Sequence, residues 1–600
     1  MRRRGGTGQW PTWFAGRTRV QRGGMAVRSR HVLRMTILTL VIVLVASACG
    51  GGGGGGTGTG GQGGNPVKGG TLRIYNQDDV DFLDTALGYY TVTLALQRTF
   101  ARTLYSWDIN KTGDAHSIPV PDLADGEAKI SGNNTVFAFK LRSGVGWAPP
   151  ATGNVTADDL VYAVERLFDK TNPSPGQSYA LLIKGAAEFA SGKAKSISGI
   201  AVNGDTITFT LNKPAPDFLS IMSLPFFAPV PRAYASKFKV GPDYGKHIVG
   251  SGPYTLKSYT PEKSIALVRN TNWDPATDQL RKAWVDAIEM RIGLEPEAIQ
   301  QAIERGDADF SLDAQPPNAS LQRLSTDPQL KARFAVETTG CIRYFTLGTN
   351  KGAGAISDVR VRQAVNYAID KIAIQRVRGG PLAGDPASTI LTPPLLGYQK
   401  YDLYPSPNSK GDPAKAKQLL AEAGYPNGLT LTYVGPDSGQ GAQVNVAVQA
   451  SLARAGIKLK MTTLAGSKVY TDSLGLPAKR AQHQIGQAAW CFDYPGDGTR
   501  SFMVPLIDGR SIQPANNSNY SEYNNPAVNA KIDQALAEGD RDKRAALWAE
   551  IDRQAMQDAV WAPFLYDKTQ LFWSARLRNW KFTSWGANPE LPALWIDQSS

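Results

Sequence analysis

The chain has 600 residues, more than one compact core holds, so two or three lobes are expected. Its formal net charge is +13, but nine arginines and no acid fall in residues 1–48, which leaves +4 from residue 49 onward, too little for nucleic-acid binding. Beyond residue 48 the only histidines are His116, His247 and His483, far apart, and no Gly-x-Ser-x-Gly elbow occurs. A histidine-rich metal site or an α/β-hydrolase triad lacks material, so no metal, cofactor or catalytic step is expected.

In chain order, the basic residues Arg28, Arg30 and Arg34 lead into the apolar run Met35 to Val45, then Ala46-Ser47-Ala48 and Cys49. Charge, apolar core and small residues make an export signal, too short to span a bilayer. Residues 1–48 are read as this signal, with Met25 as an alternative start. The small residues before Cys49 resemble a bacterial lipobox, except that Ala46 stands where Leu, Val or Ile is usual. The resemblance implies that Cys49 is diacylated and anchors the protein to the outer face of the cell membrane; a cleaved, freely secreted protein is the alternative. Residues 49–66 then form a glycine-rich tether, with a root-mean-square span of about 20–24 Å for sixteen flexible residues. With Cys49 lipidated, Cys341 and Cys491 remain as an even pair in an oxidising compartment.

Beyond Pro66, strands and helices alternate without repeats, which predicts an α/β class with α+β parts. Phe137, Phe139 and Leu141 share one face of a predicted strand, as do Ile207, Phe209 and Leu211. Thr156 and Asp159 form an aspartate variant of a capping box, opening a helix with Leu160, Val164, Leu167 and Phe168 inward. Val361, Val365, Ala368 and Ile372 predict one amphipathic helix. Asn525-Pro526 is a cap with proline at the first helical position, and Leu547, Ile551 and Ala555 mark a further helix.

Several stretches in fixed order resemble the extracytoplasmic solute-binding proteins of the peptide, opine and nickel uptake family, the receptors of ABC importers. They are Lys68-Gly69-Gly70-Thr71-Leu72-Arg73-Ile74; Pro121-Asp122-Leu123-Ala124 with Phe137 to Val145 and Thr156 to Tyr162; and Gly250-Ser251-Gly252-Pro253-Tyr254-Thr255-Leu256 with Arg269-Asn270 and Trp273. The run from Asp358 to Lys371, Gly424-Tyr425-Pro426-Asn427-Gly428 and the region of Pro563 complete the match. The resemblance implies a periplasmic-binding-protein type II-like two-lobe hinge fold with an additional inserted domain. The expected division is lobe I over 67–107, 196–340 and 561–600, inserted domain II over 108–195, and lobe III over 341–560.

Trp490-Cys491-Phe492-Asp493-Tyr494 resembles a segment of the oligopeptide-binding members. That resemblance implies a disulfide between Cys491 and Cys341, with two free thiols as the alternative, and a role for Asp493 in receiving a peptide's α-ammonium. A buried ammonium needs such a carboxylate to offset its desolvation; Asp497 is a rival on the same turn-like loop. Trp490, Cys491, Tyr344, Asn516 and Asn517 are the other expected contacts, while as aromatic content Trp107, Trp147, Trp561 and also Trp490 read more as core than as pocket. The implied function is capture of oligopeptides in an interlobe cleft and delivery to an ABC permease by a monomer. A non-peptide solute (oligosaccharide, opine, siderophore or metal chelate) is the alternative, a sensor-coupled receptor a further one and an exported hydrolase a remote one.

Overall fold

The computed structural model describes residues 65–598, apart from 112 and 584–587. Cys49 and the export signal lie outside the described residues. Among those described, no helix is long and apolar enough to cross a membrane.

Three sheets organise the body. The first has strand order Thr71–Tyr75, Ala287–Arg291, Ser264–Arg269, Tyr254–Thr260, parallel in its first pair and antiparallel elsewhere. Leu72 and Ile74 pair with Ile288 and Met290, and all four are buried. Alternation places every second residue on one face, and that face is the core.

The second sheet is antiparallel, in the order Lys129–Ser131, Val136–Lys140, Thr206–Thr210, Ile200–Asn203. Phe137 and Phe139 oppose Phe209 and Ile207, as the alternating pattern predicts, and these four side chains are buried. The helix Ala157–Arg166 starts with the expected capping box: the Thr156 side chain accepts from the Asp159 N–H, and the Asp159 carboxylate accepts from the Thr156 N–H at 2.9 Å.

The third sheet has six strands, in the order Gly384–Asp385, Trp561–Phe572, Phe334–Leu347, Ile485–Cys491, Leu429–Pro436, Ile457–Leu464. One face, with Ile342, Tyr344 and Ala488, joins the core that includes the second sheet. The other, with Phe345, Leu431 and Ile485, is covered by helices including Val359–Ala368 and Gly439–Arg454.

Three expected boundaries fall inside sheets, and the one between residues 340 and 341 cuts the strand Phe334–Leu347 itself. Strands Ile200–Asn203 and Thr206–Thr210 belong to the second sheet, so the inserted unit continues past residue 195. Trp561–Phe572 is a third-sheet strand, paired with Phe334–Leu347, and it reaches the first core only near its end, at Leu571. Trp573, Trp580, Leu594 and Ile596 then pack in that core. The expected helix through Ile372 is also two helices, Val359–Ala368 and Lys371–Val377. Ile369 is extended between them, and the Asp370 carboxylate accepts from the Ala373 N–H at 2.8 Å, capping the second. A local cap here overrides continuous apolar spacing.

Phe334–Leu347 and Trp561–Phe572 are long strands that link the first and third bodies. Ala335 and Leu571 pack in the first core, while Phe345 and Phe564 pack in the third. Their register shifts between Thr338 and Ile342. At this bulge the Thr339 hydroxyl donates to the Asp567 carbonyl at 3.0 Å and accepts from the Cys341 N–H at 3.1 Å. Gly340 is required by close approach, because a Cβ there would lie 1.7 Å from the Phe492 ring.

Candidate functional site

Cys341 and Cys491 are opposite each other in the third sheet and form a disulfide. Cys491 ends its strand, and the chain turns at once into Phe492-Asp493-Tyr494. Backbone contacts then fix the loop. The Ser501 hydroxyl accepts from the Asp493 N–H at 3.1 Å and donates to the Gly498 carbonyl at 2.6 Å, while the Trp490 indole donates to the Ser501 carbonyl at 3.0 Å.

Asp493 is met by two tyrosines from remote parts of the chain. The Tyr89 hydroxyl donates to its Oδ1 at 2.6 Å, and the Tyr179 hydroxyl donates to its Oδ2. Tyr89 is itself placed by Asp81, whose Oδ2 accepts from the Tyr89 N–H at 2.7 Å. Tyr179 lies on the short helix Gln177–Ala180, edge-on to Tyr494 at 6.1 Å between ring centroids. Burial raises the Asp493 pKa above its ordinary value, against the two phenolic hydrogen bonds, which favour the charged form. Burial first, and the Asp493 charge second, hold both phenols well above their ordinary pKa, so they remain donors.

These groups border a cavity of about 580 Å³, within the roughly 300–1,000 Å³ range of ligand clefts. Trp490, Leu182, Val504 and Pro505 give it apolar walls, and Ser178, Ser511, Gln513, Asn516 and Ser518 give it polar ones. Two guanidiniums also line it. Arg510 is held by Asp508 and Asp533. Arg500 is held by Asp217, with Nε–Oδ2 at 2.5 Å and Nη2–Oδ1 at 2.8 Å. The Tyr494 hydroxyl donates to the same carboxylate at 2.8 Å. Burial alone would raise the Asp217 pKa; Arg500 and Tyr494 outweigh it and hold the carboxyl below its ordinary value.

The expected contacts divide. Asp493, Trp490 and Asn516 line the cavity. Tyr344 does not: its strand alternation turns it into the core, where it is buried and stacks on Trp561 at 3.5 Å. Asn517 is also buried, donating to the Asn519 carbonyl at 2.8 Å. Cys491 serves the disulfide and is outside the cavity lining. Asp497 is engaged by Arg544 at 3.0 Å. Trp107, Trp147 and Trp561 are buried in cores as expected. The histidines are dispersed: His116 borders another cavity, His247 stacks on Phe238, and His483 is buried against Ser473. Tyr89, Tyr179 and Arg500 were invisible to sequence reasoning, since no local pattern marks them.

The fold and the cavity beside Asp493 are thus in place, and comparison with known proteins gives the class. Residues 119–505 match the model of the bacterial extracellular solute-binding proteins, family 5, and the chain belongs to that family. It is similar to heme-binding protein A of Haemophilus influenzae, 28% identical over 465 residues, covering 74% of this chain and 78% of that protein. It is also similar to the periplasmic oligopeptide-binding protein OppA of Escherichia coli, 26% identical over 494 residues, covering 78% and 83%. Among solved structures, clavulanic acid biosynthesis oligopeptide binding protein 2 aligns with a TM-score of 0.82 and 32% identity, over 89% of this chain and 96% of that one. The expected fold class and family are therefore shown.

Proposed function

We propose that this extracellular receptor captures oligopeptides, holding the ligand's α-ammonium at Asp493 and passing the ligand to an ABC permease in the membrane. The observation that carries this reading is the half-buried Asp493 carboxylate at the wall of the cavity, oriented by the phenols of Tyr89 and Tyr179. A carboxylate whose charge is penalised by burial gains from a cation brought by a ligand. The mixed walls suit a ligand recognised at its main chain with tolerance along its side chains. The names of similar proteins point the same way, since two are oligopeptide-binding, although another is heme-binding. Closure of the bodies about the long linking strands would present the new surface that a permease reads. Trp490, Tyr89, Tyr179 and Asn516 are the accompanying contacts, and the protein acts as a monomer.

We place the protein at the outer face of the membrane, held through a diacylated Cys49. Incorporation of labelled fatty acid, abolished by Cys49→Ser with release of protein into the medium, tests that anchor.

The ligand is tested by native mass spectrometry of the protein purified without denaturation from cells on peptide-rich medium. A ladder of short peptides is the expected result. A single non-peptide mass would overturn the peptide reading and leave the family intact.

A further inference from the structure

Acids hold some buried cations of this protein, and sets of carbonyls hold others. Arg102 reaches Asp122 at 2.8 Å and Arg480 reaches Glu522 at 2.9 Å. Arg362 is satisfied by carbonyls instead, donating to those of Ile356, Ser357 and Asp558. Lys371 has neither arrangement. It is only 7% exposed. Among the described residues the Ala387 carbonyl, 2.6 Å from Nζ, is its one hydrogen-bond partner, and no acid pairs with it. An ammonium carries three N–H donors, so two are left over. A buried donor without a partner costs about 1–3 kcal/mol, and more when charged. Burial lowers the Lys371 pKa below its ordinary value, and the charge of Asp402 opposes that shift without cancelling it.

Lys371 also lines a cavity of about 330 Å³, which shares no lining residue with the one beside Asp493. That volume lies at the small end of the roughly 300–1,000 Å³ range of ligand clefts. Lys371 and Lys400 outnumber the one acid in its lining, Asp402, whose Oδ1 already accepts from the Tyr404 N–H at 2.9 Å. The balance favours an anion over a cation. Two of the lining hydroxyls are engaged: Ser388 donates to the Tyr401 carbonyl at 2.5 Å, and Tyr401 donates to Asp552 at 2.9 Å. Lys400 is exposed, where water and salt screen its charge. The buried ammonium is therefore the strongest donor that the cavity offers.

We propose that this cavity is a second ligand site, taking a small carboxylate-bearing solute whose oxygens accept from the unused donors of Lys371. A carboxylate matches the ammonium in charge and offsets its desolvation, which a neutral solute cannot do as well. Lys400 adds to the attraction and Asp402 opposes it. The proposal does not depend on the role given to Asp493.

The test titrates the purified full chain with acetate, pyruvate and benzoate, each against its neutral amide, and follows binding by ligand-observed NMR. At least one carboxylate should bind tenfold more tightly than its amide. The same carboxylate should slow acetylation of Lys371 by a water-soluble reagent at least fivefold, read by peptide mass spectrometry, and leave the exposed Lys458 unaffected. Lys371→Met should abolish the preference for carboxylate over amide and leave peptide retention by native mass spectrometry unchanged. Asp402→Asn removes the opposing acid and should tighten the carboxylate at least twofold, which tests the proposal even where Lys371→Met fails to fold. Equal binding of all three carboxylates and their amides, no protection of Lys371, or weaker carboxylate binding in Asp402→Asn would overturn it. A preference that survives in folded Lys371→Met would place the anion elsewhere and overturn it too. Peptide retention answers separately for Asp493.

Discussion

Asp122 is buried and Asp493 half-buried at a cavity wall, and their surroundings differ in kind. Asp122 receives Arg102 Nε at 2.8 Å and Arg281 Nη2 at 2.9 Å, and Asp278 pairs with Arg281 at 3.2 Å. Burial would raise its pKa, yet the two guanidiniums outweigh burial and hold the carboxyl below its ordinary value. Asp493 takes hydrogen bonds from two phenols, and there burial prevails and raises the pKa. A buried acid supplied with guanidiniums from its own chain stitches loops together. At Asp493 burial outweighs the two phenols, which is the setting in which the ligand cation proposed above would favour the charged form.

The largest expected effect is at the first of these sites. Asp122→Ala leaves Arg102 and Arg281 buried without their shared acid, and should destabilise the protein by about 3–5 kcal/mol in urea unfolding. A loss below about 1 kcal/mol would erase the distinction between the two aspartates. Next comes the disulfide: replacing Cys341 and Cys491 together by serine should cost about 2–4 kcal/mol. Thermal melts with and without reductant check this, since reductant should lower only the wild-type midpoint.

Asp493→Asn should behave unlike Asp122→Ala. Affinity for peptides with free amino termini should fall by about 1.5–3 kcal/mol, the worth of a charged hydrogen bond, with little change in the urea midpoint. Calorimetric titration of a peptide found in the retained ladder measures the first quantity. The pH dependence follows from the raised pKa. Acidification protonates Asp493 above the ordinary aspartate range, so affinity should fall on the acid side of neutrality for free termini and stay flat for acetylated ones. The same shift has the opposite sign for folding: its contribution to stability is present below the unfolded-state pKa and is lost as pH rises through the raised folded one.

The smallest expected effect is the sharpest. Tyr89→Phe removes one donor to the carboxylate at a partly exposed site and should alter stability by less than about 1 kcal/mol. That hydrogen bond favours charged Asp493. Its removal should therefore shift the acid-side fall in affinity to higher pH, as a titration of wild type and variant would show.

Legibility from sequence followed the range of the interaction involved. The Phe137 and Phe209 strands and the Thr156–Asp159 capping box are local, and both were readable from a few residues. The break at Ile369 was hidden because the apolar spacing continues through it, while the cap at Asp370 decides the geometry. Trp490 and Asp493 could be picked out because they share a recognisable segment. Their partners Tyr89 and Tyr179 are 404 and 314 residues distant in sequence from Asp493, and only tertiary folding joins them. Tyr344 was misplaced because position near Cys341 does not fix which sheet face is inward. Strand pairing across the expected limits was hidden for a related reason: pairing at residues 200–210 and 561–572 leaves no composition change to mark it.

The Cys341–Cys491 bond lies beside the bulge where the two long strands pass between bodies. It fastens the strand end that carries Trp490 and Asp493 directly to one of those strands. The loop that carries Asp493 is therefore anchored to a long strand of the third sheet rather than hanging as a free flap. Loop-ordering entropy is settled during folding, and bending of the hinge strand carries the carboxylate with it. Under the role proposed for Asp493, a receptor built this way accepts peptides of differing sequence at similar entropic cost, because the part that would meet their common terminus is already in place.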